Sequence, residues 1–154
     1  MDRKALKMVS RMEELMPLIR ESLDAGQSVR FFPRGISMLP MIRQDVDSVV
    51  LSPITGELKK YDIPLYQRDD GKYVLHRIVD AGAAYTCQGD NQFVPEPGLR
   101  REQMIGVVTA FYRGDRLIPV TSAGYRVYCR FWHHTRLLRY FGRRVLRKVR
   151  RLIR

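Results

Sequence analysis

A serine, a histidine and a carboxylate occur in this chain where turns and short extended runs could bring them together. The serine lies in Gly35-Ile36-Ser37-Met38-Leu39-Pro40. A serine hydroxyl attacks a carbonyl only when a base takes its proton and backbone amides receive the oxyanion. Gly35 lets a substrate approach closely, and Pro40 stiffens the turn that follows. The histidine stands in Tyr73-Val74-Leu75-His76-Arg77-Ile78-Val79, where alternation would set Lys72, Val74, His76 and Ile78 on one face. Gln88-Gly89-Asp90-Asn91 offers a carboxylate on a turn. Each stretch also has an ordinary reading: a turn serine, a hydrogen-bonded strand histidine, a plain strand-ending turn. Lys72 is a rival base, because a desolvated lysine can serve that role.

The elements that must position these groups follow from periodicity. Leu6, Val9, Met12, Leu15/Met16, Ile19 and Leu23 recur at helical spacing, predicting a helix over 3–24. Pro17 should kink or split that helix, and Gly26 should end it. Short runs rich in Val, Ile, Tyr and Phe then predict strands at 28–33, 47–52, 62–67, 72–80, 83–88 and 104–113. Asp69-Asp70-Gly71, Ala81-Gly82, Gly89-Asp90-Asn91 and Gly114-Asp115 separate the later ones, and Asp70-Gly71 is a hairpin signal. Strands joined by tight turns without intervening helices argue for an antiparallel β domain. From Gly124 the period is helical again, with Leu138, Phe141, Val145, Val149 and Leu152 on one stripe among arginines. The expected organisation is therefore mainly β with flanking helices: an amphipathic helix over 1–26, a β domain over 27–122 and a basic amphipathic tail over 123–154.

The net charge of +12 on 154 residues would ordinarily suggest a polyanionic partner. Its distribution says otherwise for the body. No acidic residue follows Asp115, and eleven of the 28 basic residues fall between Gly124 and Arg154, leaving 17 basic and 16 acidic residues over 1–123. Cys87 and Cys129 are too distant in sequence to suggest a disulfide framework, which fits a reducing compartment. His133 and His134 have no carboxylate or thiolate at metal-binding spacing, so neither a metal nor another cofactor is expected. No stretch approaches the roughly 18–20 apolar residues that cross a bilayer.

Taken in order, Ser37-Met38-Leu39-Pro40, Tyr61-Asp62-Ile63-Pro64, His76-Arg77 and Gly89-Asp90-Asn91 resemble the motif series of the signal peptidase I family, which is related to the self-cleaving LexA-type repressors. The resemblance covers about residues 30–120, with Ile105-Gly106-Val107-Val108 as the closing strand. It implies a signal-peptidase-like antiparallel β catalytic domain with Ser37 as nucleophile and His76 as base, the histidine branch of the family. Asp90 would orient the imidazole, with Glu96 as a second acidic candidate in the place of the usual Asp. The Ser37 N–H would receive the oxyanion, without the side-chain hydroxyl that many relatives carry where this chain has Gly35. The substrate would be an extended strand contacting Gly35, Met38 and Leu39, with residues near Val50 as further pocket walls.

The family's spanning helix has no counterpart here, so the expectation is a cytoplasmic peptidase, peripheral at the inner membrane face, that trims a peptide or small-protein precursor such as a leader peptide. Trp132, Phe131, Tyr140 and Phe141 among the arginines of 124–154 suit an anionic membrane surface. The rival expectation is an inactive peptidase-fold module that binds a peptide, a membrane surface or nucleic acid. Nucleic acid is disfavoured, because residues 1–26 show no helix-turn-helix pattern.

Overall fold

Met16, Ile19 and Leu23 place their side chains on one face of a helix, and that face is buried against a β-sheet. The computed structural model describes residues 12–152. Its first element, α1 (Met12–Asp24), runs unbroken through Pro17 and buries those three residues. Leu6 and Val9, at the start of the predicted helix, lie outside the described residues. Gly26 ends α1 in the left-handed region (φ 74°), with its N–H bonded to the Leu23 carbonyl.

Among the described residues nine strands follow: β1 (Val29–Phe31), β2 (Asp47–Ser52), β3 (Pro64–Gln67), β4 (Tyr73–Leu75), β5 (Arg77–Ala81), β6 (Tyr85–Gln88), β7 (Glu96–Leu99), β8 (Met104–Arg113) and β9 (Arg116–Pro119). They form two sheets, one ordered β1-β2-β8-β3-β4 with β9 also on β8, the other ordered β5-β6-β7. All pairings are antiparallel, as the tight turns require. The Asp70-Gly71 signal is realised as the β3–β4 hairpin, with Gly71 at φ 85° and its N–H on the Arg68 carbonyl.

The structure departs from the expected strands in three places: the long strand at 72–80, and the unpredicted strands β7 and β9. The single strand expected over 72–80 is two strands in different sheets, β4 and β5, with His76 at the break. Strict alternation fails there, since Leu75, His76, Arg77 and Ile78 are all buried. Passing from one sheet to the next encloses the chain on every side. The second correction is β7, a Glu-Pro-Gly-Leu run of poor strand formers. It is held extended by pairing with β6 at Tyr85–Leu99 and Cys87–Glu96.

Residues from α1, β1, β2, β3, β8 and the helix after β9 share one core, including Phe31, Val49, Leu51, Leu65, Val108 and Phe111. A smaller core of Leu58, Tyr66, Ile78, Cys87, Leu99 and Met104 includes residues from both sheets. The basic tail is not a separate appendage. Its first helix, α2 (Ala123–His134), is capped by the Ser122 hydroxyl and buries Tyr125 and Cys129 in the main core. The second, α3 (Arg136–Leu152), follows after Thr135, whose N–H and carbonyl bond Phe131 and Arg139, so the two helices are nearly continuous.

Candidate active site

The loop after β1 and the edge strand β4 border one cleft of about 200 Å³, lined by Gly35, Ser37, Met38, Arg68, His76 and Gln92 among others. Ser37 and His76, far apart in sequence, thus face a common space. The loop that carries Ser37 is shaped by named contacts. Gly35 adopts φ 95°, a conformation unfavourable for other residues, and donates its N–H to Gln44 Oε1 at 2.8 Å. Asp47 is buried at the start of β2 and receives the Arg43 main-chain N–H and both prongs of its guanidinium at 2.8–2.9 Å, closing the segment behind the serine.

The Gly-Asp-Asn turn lies directly against this loop. The Asn91 N–H donates to the Ser37 carbonyl at 2.8 Å, and the Asn91 side chain donates to the Ile36 carbonyl at 3.1 Å. A methyl group on Gly89 would sit 2.7 Å from that Ser37 carbonyl oxygen, so only glycine permits the approach. The N–H of Ser37 makes no hydrogen bond within the described residues, which leaves it available as an oxyanion donor. The Ser37 hydroxyl has no bond to His76 or to any other described residue.

His76 is 3% exposed. Its Nδ1 lies 3.2 Å from the hydroxyl of Tyr66, which itself donates to Glu96 Oε2 at 2.8 Å. Because the one Tyr66 proton is directed at the carboxylate, the hydroxyl accepts from His76 Nδ1–H, and the neutral imidazole keeps its lone pair on Nε2. That tautomer is the one a general base needs. Glu96 is also gripped by Arg68, through Nε at 2.6 Å and Nη2 at 2.7 Å. Burial alone would push the Glu96 carboxyl up, but the bonds from Arg68 and Tyr66 outweigh it and hold the group below the usual carboxylate range. Burial lowers His76 to about 4, with Arg68 adding to the fall and Glu96 opposing it. His76 is therefore neutral at physiological pH, and its 3.9 Å separation from Glu96 is no ion pair there.

Asp90, expected behind the imidazole, serves a different partner. It forms a two-pronged pair with Arg77 at 2.8 Å on both oxygens and accepts from Tyr128 Oη at 3.1 Å. Arg77 Nη1, which carries two N–H groups, lies within hydrogen-bond distance of three acceptors: Tyr125 Oη (2.7 Å), Cys129 Sγ (3.0 Å) and the Tyr61 carbonyl (3.1 Å). Tyr61 holds φ 81°, a strained conformation for a bulky residue, secured by this bond and by its N–H on the Ile78 carbonyl. Burial works against the Arg77 charge, yet Asp90 overcomes it and keeps the guanidinium well above its ordinary value. The group tied to His76 is Glu96, through Tyr66, and not Asp90.

Other expectations also need adjusting. Gly35 and Met38 line the cleft, whereas Leu39 does not, and Val50 lies within β2, paired to Ala110 and Arg30. Lys72 is paired with Asp70 at 3.4 Å in solvent, so nothing desolvates it as a base. Cys87 and Cys129 are free and buried, and burial pushes the Cys87 thiol up to about 12, an unreactive state. Tyr66 and Arg68 were missed as site residues. Their only sequence signal is proximity to the Asp70-Gly71 hairpin, which folds β3 back along β4 towards His76. Comparison of the chain with protein-family models, with curated proteins and with solved structures found no match.

Proposed function

We propose that this protein is a serine endopeptidase of signal-peptidase type that cleaves an extended peptide or small-protein precursor such as a leader. The observation that supports it is one cleft shared by Ser37 and His76, with the imidazole's other nitrogen bonded to the Tyr66–Glu96 relay. In this reading Ser37 Oγ attacks the scissile carbonyl as its proton passes to His76 Nε2, and the Ser37 N–H receives the oxyanion. The resulting imidazolium donates through Nδ1 to Tyr66, whose own proton leans on the Glu96 carboxylate, so the positive charge meets a negative partner through one hydroxyl. His76 then protonates the leaving amine, and water resolves the acyl-enzyme by the reverse transfer.

The substrate joins as an added strand. β4 ends its sheet with one edge unpaired among the described residues, and Tyr73, Val74 and Leu75 of that strand line the cleft. The cleft walls contributed by Pro33, Met38 and Ile42 suit small apolar side chains.

A fluorophosphonate probe tests this. Labelling of wild type at Ser37, lost in Ser37→Ala and strongly reduced in His76→Ala, is the expected result. Equal labelling of wild type and Ser37→Ala sinks the proposal. The second reading is a peptide-binding module without catalysis, favoured by the absence of a Ser37–His76 hydrogen bond. Peptide binding by wild type with neither cleavage nor labelling would establish it instead.

A further inference from the structure

We infer that α3 is a docking surface for an anionic lipid bilayer, lying in the interface with its apolar arc inserted. The helix is joined to the body by its arginines and leaves that arc uncovered by the described residues. Arg136 donates to Gln88 Oε1 at 2.6 Å, Arg139 to the Asp90 carbonyl at 3.4 Å, and Arg143 to Asn91 Oδ1 at 2.6 Å. Arg139 also stacks on Trp132 at 3.6 Å, and Arg143 lies over Phe93 at 5.2 Å. These residues share one side of the helix. The opposite side carries Leu138, Phe141 and Val145, which are 73%, 60% and 61% exposed, with Val149 completing the row. Across Thr135 the row continues into α2 as exposed Val127 and Phe131. Contiguous apolar side chains on this scale are not left to water without a partner.

Charge selects the partner. Arg144 and Lys148 lie on α3 beside the arc, and no acidic residue follows Asp115 in the sequence. Two copies meeting through α3 would bring arginine against arginine, with no carboxylate on that helix to offset them. A nucleic acid would engage the cations but offer nothing to the leucine, phenylalanine and valine side chains. Anionic headgroups over an acyl boundary satisfy both features at once. The expectation of four lipid-facing aromatics is refined by the contacts: Phe131 and Phe141 remain exposed, while Trp132 donates to the Asp90 carbonyl at 2.7 Å and Tyr140 packs on Phe93. No described helix is long and apolar enough to cross a membrane, so α3 would lie on the surface.

The inference is independent of the peptidase reading, and its test needs no enzymatic activity. The full chain is sedimented with vesicles of phosphatidylcholine alone and with vesicles containing about one third phosphatidylglycerol. Binding to the second and not the first is expected, weakening as salt is raised. The Phe141→Asp/Val145→Asp variant should bind about tenfold or more weakly. Both positions are exposed, and unchanged fluorescence of Trp132 would certify that α2 remains docked. Three results overturn the inference: no binding to either vesicle, equal binding by wild type and variant, or a wild-type dimer that the same variant dissociates. Tighter retention on duplex DNA than on the anionic vesicles would also overturn it.

Discussion

His76 and Arg77 are consecutive residues, both buried, yet their surroundings are opposite. His76 opens towards a cleft and keeps a neutral ring, tied through Tyr66 to a Glu96 that Arg68 already neutralises. Arg77 points the other way, carries a full charge and is saturated by Asp90, Tyr125, Cys129 and the Tyr61 carbonyl. Each has a carboxylate, but only the second carboxylate is in direct contact. Burial is affordable for Arg77 because its charge is met on every side. For His76 the same burial expels the proton. The first arrangement suits a base that must change state, and the second suits a joint that must not. Asp90 is such a joint: besides Arg77 it binds Tyr128, its carbonyl binds Trp132, and its turn supports Ser37 through Asn91.

The largest effect should come from breaking the joint. Arg77→Met leaves Asp90 buried without its cation, and a stability loss of about 3–5 kcal/mol is expected from urea unfolding. Arg77→Met/Asp90→Leu should recover part of that loss. A single-variant loss below about 1 kcal/mol would erase the contrast between the two neighbours.

The pH dependence of stability probes the other side. His76 is lowered from 6.5 to about 4 in the folded protein, so between those values the unfolded chain binds more protons. Its contribution is therefore complete above the ordinary histidine range and is lost as pH falls through the folded value, amounting to about 3 kcal/mol. The gap between the denaturant midpoints of wild type and His76→Gln should stay constant above pH about 7 and move against wild type as pH falls from about 6.5 to about 4. Parallel curves would show that the ring is not held neutral by burial.

Tyr66→Phe removes the hydroxyl between imidazole and carboxylate while keeping the ring that fills the core. If hydrolysis is catalysed as proposed, kcat should fall about a hundredfold with KM little changed. An unchanged kcat would mean that the relay does not orient the base. The smallest effect concerns Arg68, one of the causes of the lowered His76 value. Arg68→Met should move the imidazole titration upwards, by about one pH unit or less, as followed by the His76 ring proton resonances. A downward movement would contradict the electrostatic account.

Much of the architecture was legible in the residues. Turn chemistry at Asp70-Gly71, the apolar period of α1 and the acid-free tail each announced its element, because each depends on local sterics or spacing. The helical nature of residues beyond Gly124 was equally plain, but the role of α2 was not. Tyr125 and Cys129 become core residues because the main sheet packs against them and Arg77 reaches both from beneath. Likewise β7 is extended through pairing rather than propensity, and so nothing in Glu-Pro-Gly-Leu announces where Glu96 will point.

Residue types and spacing establish which reactive groups exist, their order along the chain and the glycines that let their loops approach, as at Gly35 and Gly89. Which carboxylate serves which base was decided only by the tertiary structure. Between Leu75 and Arg77 the chain leaves one sheet for the other, and that turn sends adjacent side chains to opposite partners. A period read along one strand cannot foresee it, because the pairing depends on strands contributed from elsewhere in the chain.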